Sequence, residues 1–322
     1  MFKTLVSNHC VNNCRYCPIR ANSDPRRCTL EPEETVRTFL EYLRRGRVQG
    51  IFLTSGVTGT PDRTMDRINA IASILRKDGF RGYMHLKIIP GASDAAIEEA
   101  VSLASAVSVN IETAGENNFA KISPSKDYAR DVLQSIGLVS RLTSESSQYH
   151  RVKQTTQFIV GAAEETDQDI VGYSWSLYKD LKLSRVYFSA YQRGLGEPDL
   201  PGELSLRTNA ELLTREHRLY QTDWLLRKYG FTANEISFEQ DGNLSLSTDP
   251  KEVWASMHPE FFPVDVNKAD RHDLLRVPGF GPVTVNTILR LRKEGRRIRS
   301  IETLGKPGKR LAKANDYIWF GG

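Results

Sequence analysis

Cysteine is scarce in this sequence of 322 residues: there are four, and none follows Cys28. A disulfide framework would distribute cysteines so that they join distant segments, and this distribution therefore argues against one. The same absence argues against a second cysteine-held metal cluster later in the chain. Cysteines gathered within the first 28 residues indicate instead one metal or redox site.

Long hydrophobic runs are also missing. No apolar stretch approaches the roughly 20 residues that a membrane-spanning helix needs. The first ten residues, MFKTLVSNHC, have neither the apolar core nor the small-residue cleavage site of a signal peptide. We therefore expect a cytoplasmic protein with no membrane partner.

An excess of charge is absent from most of the chain. Residues 1–263 carry 31 lysine and arginine residues against 33 aspartate and glutamate residues, a net charge of −2. Residues 264–322 carry 13 against 6, a net charge of +7. A small basic module on a nearly neutral body suggests binding to a polyanion, and charge alone leaves a solvated helical face as the alternative.

The hydropathy pattern alternates short β-type runs with longer helical stretches. The six predicted strands are Phe2–Val6, Gly50–Gly56, Tyr83–Pro90, Val107–Glu112, Thr156–Gly161 and Arg185–Gln192. The predicted helices lie near 32–45, 62–78, 94–105, 127–143, 166–181 and 207–229. Strand–helix units in this order predict a parallel sheet with helices outside it. We expect an α/β core over residues 1–230, a barrel extension and linker over 231–263, and a small all-α domain over 264–322.

Polar residues within the strands distinguish two parallel architectures. A doubly wound sheet is covered by helices on both faces and should be apolar on both. In the third strand Met84 and Leu86 share one side, whereas His85 and Lys87 share the other. The fourth and sixth strands alternate in the same way. The pattern favours a partial (β/α)6 barrel around a polar cavity.

The spacing C-x3-C-x2-C of Cys10, Cys14 and Cys17 comes directly after the first predicted strand. Catalytic groups of α/β barrels gather in the loops at the carboxyl ends of strands. Three thiolates can hold three irons of a [4Fe–4S] cluster and leave the fourth open to the amino and carboxylate groups of S-adenosylmethionine. A zinc site that includes Cys28 is the alternative, but structural zinc sites usually pair two close cysteines with two more. Cys28 is instead expected to be an incidental loop thiol.

The cysteine motif, with Tyr16 before its last cysteine, resembles the radical S-adenosylmethionine (radical SAM) superfamily over about residues 1–230. The resemblance implies that S-adenosylmethionine is cleaved reductively and that the resulting 5′-deoxyadenosyl radical abstracts hydrogen from a substrate. It also implies an electron donor such as flavodoxin or ferredoxin. The cofactor contacts that we expect at the strand ends are Tyr16, Ser55, Gly56, Ser108, Asn110, Glu112 and Gly161. The predicted catalytic residues, which would face the cavity, are Lys87, Tyr187 and Tyr191.

Residues 264–322 predict two short helices joined by a tight turn. Asn267 is expected to cap the first helix, Gly279 to end it, and Pro282 to begin the second. A degenerate second copy follows. The pattern resembles the helix-hairpin-helix motif of many DNA-repair proteins, in which the glycine turn and the second helix bind a backbone phosphate. The resemblance implies nucleic-acid binding by Gly279, Phe280, Gly281, Thr284, Arg290, Lys306, Lys309 and Arg310; a structural tail and a protein-docking module are the alternatives.

The two modules in this order resemble the radical SAM proteins assigned to DNA modification or repair. The segments that carry this resemblance are the cysteine loop, the run Leu53-Thr-Ser-Gly56 and the run His85-Leu-Lys87. It implies a DNA substrate and association with a protein similar to uracil-DNA glycosylases. Two other functions are the alternatives: modification of RNA, and a non-catalytic iron–sulfur sensor that binds DNA. The polar inward faces of the strands count against the sensor, which needs no lined cavity.

Overall fold

The structure is a computed structural model that describes residues 1–305 and 308–321. By the density of internal contacts, the chain divides into two compact units. The first comprises Met1–Glu165 and Ser176–Leu213, and the second comprises Thr166–Trp175 and Thr214–Gly322. The predicted domain boundaries after residues 230 and 263 stay predictions, because density of contacts does not by itself define functional domains.

The first unit is built around six parallel strands, and their order in the sheet is their order in the chain. The strands are β1 (Phe2–Leu5), β2 (Gly50–Thr54), β3 (Tyr83–Lys87), β4 (Ala106–Ser108), β5 (Lys153–Val160) and β6 (Arg185–Ala190). Each overlaps one of the six predicted strands, although the bounds differ, most of all for β4. The predicted parallel half-barrel is therefore confirmed.

Strand β4 is shorter than its apolar run because a side chain replaces part of the backbone ladder. The Thr156 hydroxyl donates to the Val109 carbonyl at 2.7 Å and accepts from the Ile111 N–H at 2.9 Å. Glu112 then rejoins the sheet through a bridge with Phe158. The Thr156 hydroxyl thus satisfies the Val109 carbonyl and the Ile111 N–H, which are not paired with backbone groups of β5. Regular strand geometry therefore ends at Ser108, before the end of the predicted strand.

Helices follow most of the strands and continue into the second unit. They are α1 (Pro32–Arg44), α2 (Pro61–Lys77), α3 (Asp94–Leu103), α4 (Glu116–Ile122), α5 (Gln134–Leu142), α6 (Asp167–Lys179), α7 (Pro201–Leu204), α8 (Asn209–Lys228), α9 (Pro250–Met257), α10 (Arg271–Arg276), α11 (Pro282–Lys293) and α12 (Lys309–Ala312). The predicted helix 127–143 starts with a π-helical stretch, Tyr128–Leu133. The sequence patterns did not predict α4, α7 and α9. Within the described ranges, no helix is both long and apolar enough to cross a membrane.

The two faces of the sheet differ as their alternation predicts. Ile51 and Leu53 of β2 and Met84 and Leu86 of β3 are fully buried on the face that the helices cover. Their neighbours in sequence lie on the inner face, where Lys87 stays partly accessible. An open half-barrel thus keeps a polar inner wall beside an apolar core.

The last part of the second unit packs its short helices around a small apolar core. Leu274, Phe280, Val285, Ile288 and Ile298 are among its buried members. The predicted all-α domain also contains two short parallel strands, β7 (Val264–Asp265) and β8 (Ile318–Trp319). This pair brings the beginning and the end of the domain together.

The expected cap of helix α10 is wrong. Asp270 caps the helix, and its side chain accepts from the Asp273 N–H at 2.9 Å. The Asn267 side chain instead donates to the carbonyls of Ile298 and Phe320, at 2.8 and 2.7 Å. Both residue types cap helices well, and Asp270 lies directly before the first helical residue.

Candidate functional site

The cysteine motif lies in the segment between β1 and α1, at the carboxyl end of β1. Val11 N donates to the Val57 carbonyl at 2.9 Å, and Gly56 N donates to the Ser7 carbonyl at 2.7 Å. Gly56 packs directly against the loop, since a Cβ at this position would lie 2.4 Å from the His9 carbonyl oxygen. The loop is therefore fixed to the end of the neighbouring strand, where barrel enzymes carry their catalytic groups.

The three predicted ligands are free thiols in different surroundings. Cys14 is buried, and its Sγ lies 3.1 Å from Ser123 Oγ. The Sγ of Cys10 accepts a hydrogen bond from Val57 N at 3.4 Å. Burial raises the pKa of Cys17 to about 11. The Cys17 sulfur therefore keeps its proton at neutral pH, and a metal that binds this sulfur would displace the proton.

The three sulfurs are spread more widely than the ligands of one metal ion. Two thiolates on a single zinc ion lie at most about 4.6 Å apart, because each Zn–S bond is about 2.3 Å long. Asp270, His272 and Asp273 have ligand atoms that all lie within 4.8 Å of one another. Within residues 1–305 and 308–321, no other three histidine, cysteine or acidic side chains meet this distance. The sulfurs of Cys10, Cys14 and Cys17 do not all lie within this distance of one another, so they are not arranged as three ligands of a single zinc ion.

Cys28 is exposed, and the contacts around it involve its backbone. Its N–H donates to Asn8 Oδ1 at 2.6 Å, and its carbonyl accepts from Asn8 N at 3.1 Å. The neighbouring Thr29 forms a bridge with Ser7. These bonds close the base of the cysteine loop and do not involve the Cys28 thiol.

Lys126 is a residue of this site that sequence reasoning missed. Its ammonium group lies close enough to Cys14 for the charge of that cysteine to act on it. Burial acts to lower the pKa of Lys126, but the nearby charges of Cys14 and Glu112 outweigh it, and the pKa is raised. The lysine thus brings a positive charge to one of the predicted cluster ligands. No local pattern signalled this contact, because 112 residues of sequence separate Lys126 from Cys14.

A chain of polar side chains connects the inner wall to the cysteine loop. Lys87 donates to Asn110, and Asn110 Nδ2 donates to Glu112 Oε2 at 3.3 Å. Tyr16 lies near Glu112, and burial followed by the Glu112 charge raises the pKa of Tyr16 well above its usual value. Burial lowers the pKa of Lys87 to about 8, against the opposing effect of Glu112. The structure therefore brings together four of the predicted site residues.

Glu112 occupies a backbone conformation that non-glycine residues rarely adopt. Its φ is 66°, and its side chain is buried. Its carbonyl accepts from Ile159 N at 2.7 Å, and its N–H donates to the Gln157 carbonyl at 3.0 Å. Backbone strain of this kind concentrates at functional sites, and here two backbone hydrogen bonds to β5 hold it in place.

Two other predicted cofactor contacts have partners within the protein. Ser108 Oγ lies 2.9 Å from His85 Nε2, and burial lowers the pKa of His85 to about 3. Ser55 Oγ donates to the Gly56 carbonyl at 2.7 Å. Their contacts with S-adenosylmethionine stay predictions, and no hydrogen bond in the described structure joins either residue to Lys87, Asn110, Glu112 or Tyr16.

Gly161 follows β5 with a φ of 84°, a conformation that glycine adopts without strain. Its N–H donates to Glu165 Oε1 at 2.7 Å, and Thr113 Oγ1 donates to Glu165 Oε2 at 3.1 Å. Glu165 is buried. The Glu165 carboxylate therefore holds the loop after β5 against Thr113. The sequence patterns did not predict this role of Glu165.

The structure separates the two predicted catalytic tyrosines. Tyr191 is buried, and its hydroxyl donates to Glu203 Oε1 at 2.5 Å. The Tyr191 hydroxyl thus has a partner within the protein, and catalysis by Tyr191 stays a prediction. Tyr187 is partly exposed, and the Arg185 guanidinium lies 4.9 Å from its ring centroid. Catalysis by Lys87 and Tyr187 stays a prediction.

A strap formed by residues 194–203, after β6, crosses the cysteine loop. Arg15 Nε donates to Glu197 Oε2 at 2.8 Å, and Asn22 Nδ2 donates to Glu197 Oε1 at 3.0 Å. Arg20 Nη1 donates to the Leu195 carbonyl at 2.9 Å. The strap therefore contacts the loop both between and after its cysteines. Sequence reasoning missed it because the two segments lie about 180 residues apart.

An open cavity of about 270 Å³ lies on the Cys10 side of the loop. His9, Val11, Val57 and Thr58 are among the residues that line it with Cys10. It gives the Cys10 end of the loop access from outside the protein.

In the second unit, the structure brings most of the predicted nucleic-acid contacts to one turn and the helix after it. Gly279 has a φ of 85°, and a Cβ there would lie 2.3 Å from the Arg310 carbonyl oxygen. Phe280 is buried, and its carbonyl accepts from Lys251 Nζ at 2.7 Å. Gly281 is the N-cap of α11, and Thr284 lies in the first turn of that helix. Arg290 of α11 is exposed and pairs with Glu294. Lys309 and Arg310 of α12 are also exposed. Lys306 lies outside the described residues.

Solved structures with a similar fold were found, whereas no curated protein matches the chain. The maturase HydG from Carboxydothermus hydrogenoformans aligns with a TM-score of 0.54 and 14% identity, over 98% of this chain and 76% of HydG. Methylornithine synthase (PylB) aligns with a TM-score of 0.52 and 13% identity, over 69% of this chain and 62% of PylB. A second structure of HydG, an [FeFe]-hydrogenase maturase, aligns with a TM-score of 0.51 and 15% identity, over 69% of this chain. The match covers 48% of that HydG chain, so this protein spans about half the length of that HydG chain. At these identities the likeness shows a shared fold.

The family model described as the Radical SAM superfamily matches residues 4–173, which is more than half of the chain. The matched segment contains the cysteine loop and the polar chain from Lys87 to Tyr16. Enzymes of this superfamily use a [4Fe–4S] cluster and S-adenosylmethionine and need an electron donor, so the cofactors predicted from the sequence are confirmed. This chain belongs to the radical SAM superfamily.

Proposed function

We propose that this radical SAM enzyme modifies or repairs DNA, and that the turn between α10 and α11 helps to hold the polymer. The observation that carries the proposal is the start of α11. Gly281 is its N-cap, no side chain in the described structure caps its first N–H groups, and the adjacent Val283 is 81% exposed. Uncapped N–H groups at the start of a helix bind phosphate oxygens well.

The turn is rigid because the protein packs tightly around it. The close approach of Gly279 to the Arg310 carbonyl leaves no room for a side chain, and Lys251 anchors the Phe280 carbonyl. A donor set that is already fixed loses little conformational entropy when a phosphate binds. Such contacts to the DNA backbone do not depend on base sequence.

The charge near this turn has the sign that a polyanion requires. Residues 264–322 carry a net charge of +7. Some of the cations have structural partners: Arg276 pairs with Glu235, and Arg292 donates to backbone carbonyls. Others are exposed, namely Lys293, Arg296, Arg299, Lys309 and Arg310. Exposed cations of this kind bind phosphates with a strong dependence on salt.

At the radical site, Cys10, Cys14 and Cys17 would hold the cluster. When bound, the cluster and S-adenosylmethionine supply the means to abstract a hydrogen atom. Lys126 would place a positive charge beside Cys14, and Lys87 presents an ammonium group on the inner wall. A base or sugar inside a duplex cannot reach this wall, so we expect the target nucleotide to leave the stack.

Isotope transfer tests the proposed function. The reconstituted enzyme is incubated anaerobically with S-adenosylmethionine, a reductant and deuterated DNA or RNA, and the deuterium content of 5′-deoxyadenosine is measured. We expect transfer from DNA, and none with the Cys14→Ser variant. Transfer from RNA alone would favour the RNA-modifying alternative. Production of 5′-deoxyadenosine without label from either polymer would contradict the proposal.

Salt-dependent binding tests the contribution of the second unit. The double variant Lys309→Ala/Arg310→Ala should weaken DNA binding and reduce the slope of log K against log salt by about 1–2, because each lost phosphate contact removes about 0.9. The double variant Arg37→Ala/Arg44→Ala removes two exposed cations from α1 and serves as the matched control. An equal loss in both variants would indicate general electrostatics and would count against the proposed contact.

A further inference from the structure

The cavity beside Cys10 is the open side of the cysteine loop. Cys10 is partly exposed, whereas Cys14 is buried. Cys10 is one of the eight residues that line this space of about 270 Å³, and its Sγ accepts a hydrogen bond from Val57 N in the cavity wall. The eight lining residues do not include any member of the polar chain from Lys87 to Tyr16. The cavity therefore reaches a predicted cluster ligand by a route that is separate from the inner wall.

The strap covers the part of the loop around Cys17. Arg15 Nε, just before that cysteine, donates to Glu197 Oε2 at 2.8 Å. Arg20 Nη1, just after it, donates to the Leu195 carbonyl at 2.9 Å. A segment of the same chain thus occupies this side of the loop, and a protein partner would have to displace it. The Cys10 side needs no such rearrangement.

The rim of the cavity combines apolar surface with exposed cations. The Val11 side chain, which is part of the lining, is 53% exposed. Arg63 is exposed and lies next to the lining residue Gly59, since a Cβ on that glycine would be 3.6 Å from Arg63 Cδ. Arg26 is also exposed, directly before another lining residue. A complementary partner presents an apolar contact surrounded by acidic side chains.

The wall of the cavity itself carries positive charge. Arg27 Nη1 donates to the Ile19 carbonyl at 2.9 Å, and its Nη2 donates to the Arg20 carbonyl at 2.8 Å. Within the described ranges, the hydrogen bonds of this guanidinium go to backbone carbonyls and a serine hydroxyl, and none goes to a carboxylate. Its charge therefore contributes to the field at the opening and attracts an acidic partner.

We propose that the rim of the Cys10 cavity is the docking site of the electron donor, and that this donor is a small acidic flavoprotein of the flavodoxin type. Enzymes of the superfamily need an electron donor. One electron passes from the reduced flavin to the cluster, so the flavin is oxidised and the cluster reduced, and no bond forms or breaks. Small interfaces are typical of electron-transfer pairs. The inference does not depend on the substrate and goes beyond the proposed function.

Charge reversal at the rim tests the docking site. The reconstituted holoenzyme is mixed anaerobically with a reduced acidic flavodoxin, and the oxidation of the flavin is followed by absorbance. We expect Arg26→Glu/Arg63→Glu to slow this reaction at low salt about 10-fold or more, because charge steering changes association rates by about 10–1,000-fold. Reduction of the cluster by photoreduced deazaflavin, a small molecule that needs no protein contact, should keep the wild-type rate.

A matched control makes the same change in net charge at the other end of the half-barrel. Arg44 and Lys77 are exposed in the last turns of α1 and α2, the helices that precede β2 and β3. Arg44→Glu/Lys77→Glu should react with flavodoxin like the wild type. Equal slowing in both double variants, or wild-type rates in Arg26→Glu/Arg63→Glu, would overturn the docking site. Equal slowing with flavodoxin and deazaflavin would overturn it too, because the rim would then act on the cluster and not on the donor.

Hydrogen–deuterium exchange locates the contact without relying on electron transfer. Exchange of the reconstituted holoenzyme is compared in the presence and absence of oxidised flavodoxin. We expect protection in peptides that cover residues 9–11 and 57–63, and Val11→Glu, which adds negative charge at the rim, should remove it. No protection in the wild type, or protection confined to the strap or to residues 264–321, would overturn the docking site. Each of these outcomes leaves the proposed function intact, because that function is tested by label transfer from DNA.

Discussion

Arg15, between the second and third cysteines, is paired with Glu197 at a distance of 2.8 Å between Nε and Oε2. The same guanidinium lies 2.5 Å from Asp199 Oδ1, and its Nη1 donates to the Lys121 carbonyl at 3.0 Å. The cysteine loop thus depends on a segment from the far end of the half-barrel. The Arg15 and Glu197 side chains are 20% and 23% exposed, so this pair holds the loop more firmly than a fully exposed pair would.

We expect Glu197→Ala to weaken retention of the cluster, because Arg15 and Asn22 both lose their acceptor. Iron content per chain after gel filtration and the rate of cluster loss in air measure the effect. Glu98→Ala, which removes an exposed carboxylate of α3, is the control. Equal iron retention in the two variants would show that the strap does not support the loop.

Cys14→Ser and Cys28→Ser should behave in opposite ways. Cys14 is a buried member of the motif, whereas Cys28 is exposed and contacts Asn8 through its backbone. We expect Cys14→Ser to lose iron and visible absorption and Cys28→Ser to keep both. Loss of the cluster in Cys28→Ser would mean that the fourth cysteine binds iron, which would leave no open iron for S-adenosylmethionine.

Lys126→Met should lower the reduction potential of the cluster. The ammonium group next to Cys14 stabilises added negative charge, and its removal makes reduction less favourable. We expect a shift of some tens of millivolts, about the 59 mV that a tenfold change represents for one electron. A redox titration monitored by electron paramagnetic resonance measures it. Lys126→Arg should restore most of the potential, and Lys121→Met removes a nearby exposed charge as the control.

Gly279→Ala should destabilise the second unit and impair DNA binding. The new Cβ would meet the Arg310 carbonyl at 2.3 Å, and the φ of 85° is unfavourable for alanine. The conformational cost alone is about 1–2 kcal/mol, and the clash adds to it. Denaturant unfolding measures the change. Gly308→Ala, where nothing lies within 4 Å, should cost much less, and equal losses would contradict this account of the turn.

Lys251 should make the stability of the protein rise with pH above neutrality. Burial lowers its pKa from 10.5 to about 7, so between these values the unfolded chain binds a proton that the folded chain does not. Unfolding then takes up a proton, and the free energy of unfolding increases with pH across this window. Lys251→Met should remove this contribution, with a slope difference of up to about 1.4 kcal/mol per pH unit. Identical pH profiles for wild type and variant would contradict the assignment.

The strands were predictable because their signal is local. Each apolar run that alternates with polar residues became a strand, and the helices of the first unit followed the same logic. The exceptions have tertiary causes. Thr156, about 45 residues away, shortened β4, and Asp270 took the cap that Asn267 was expected to provide. A sequence pattern shows which residues can pair, and packing decides which of them do.

The sequence by itself predicted the cluster ligands, because Cys10, Cys14 and Cys17 lie within eight residues and their spacing is a local property. It also determined the parallel half-barrel and the basic end of the chain. Only the tertiary structure decided that Lys126 lies near Cys14 and that Glu197 holds Arg15. Each of these contacts joins segments about 100 residues or more apart, and the path of the folded backbone alone brings such segments together.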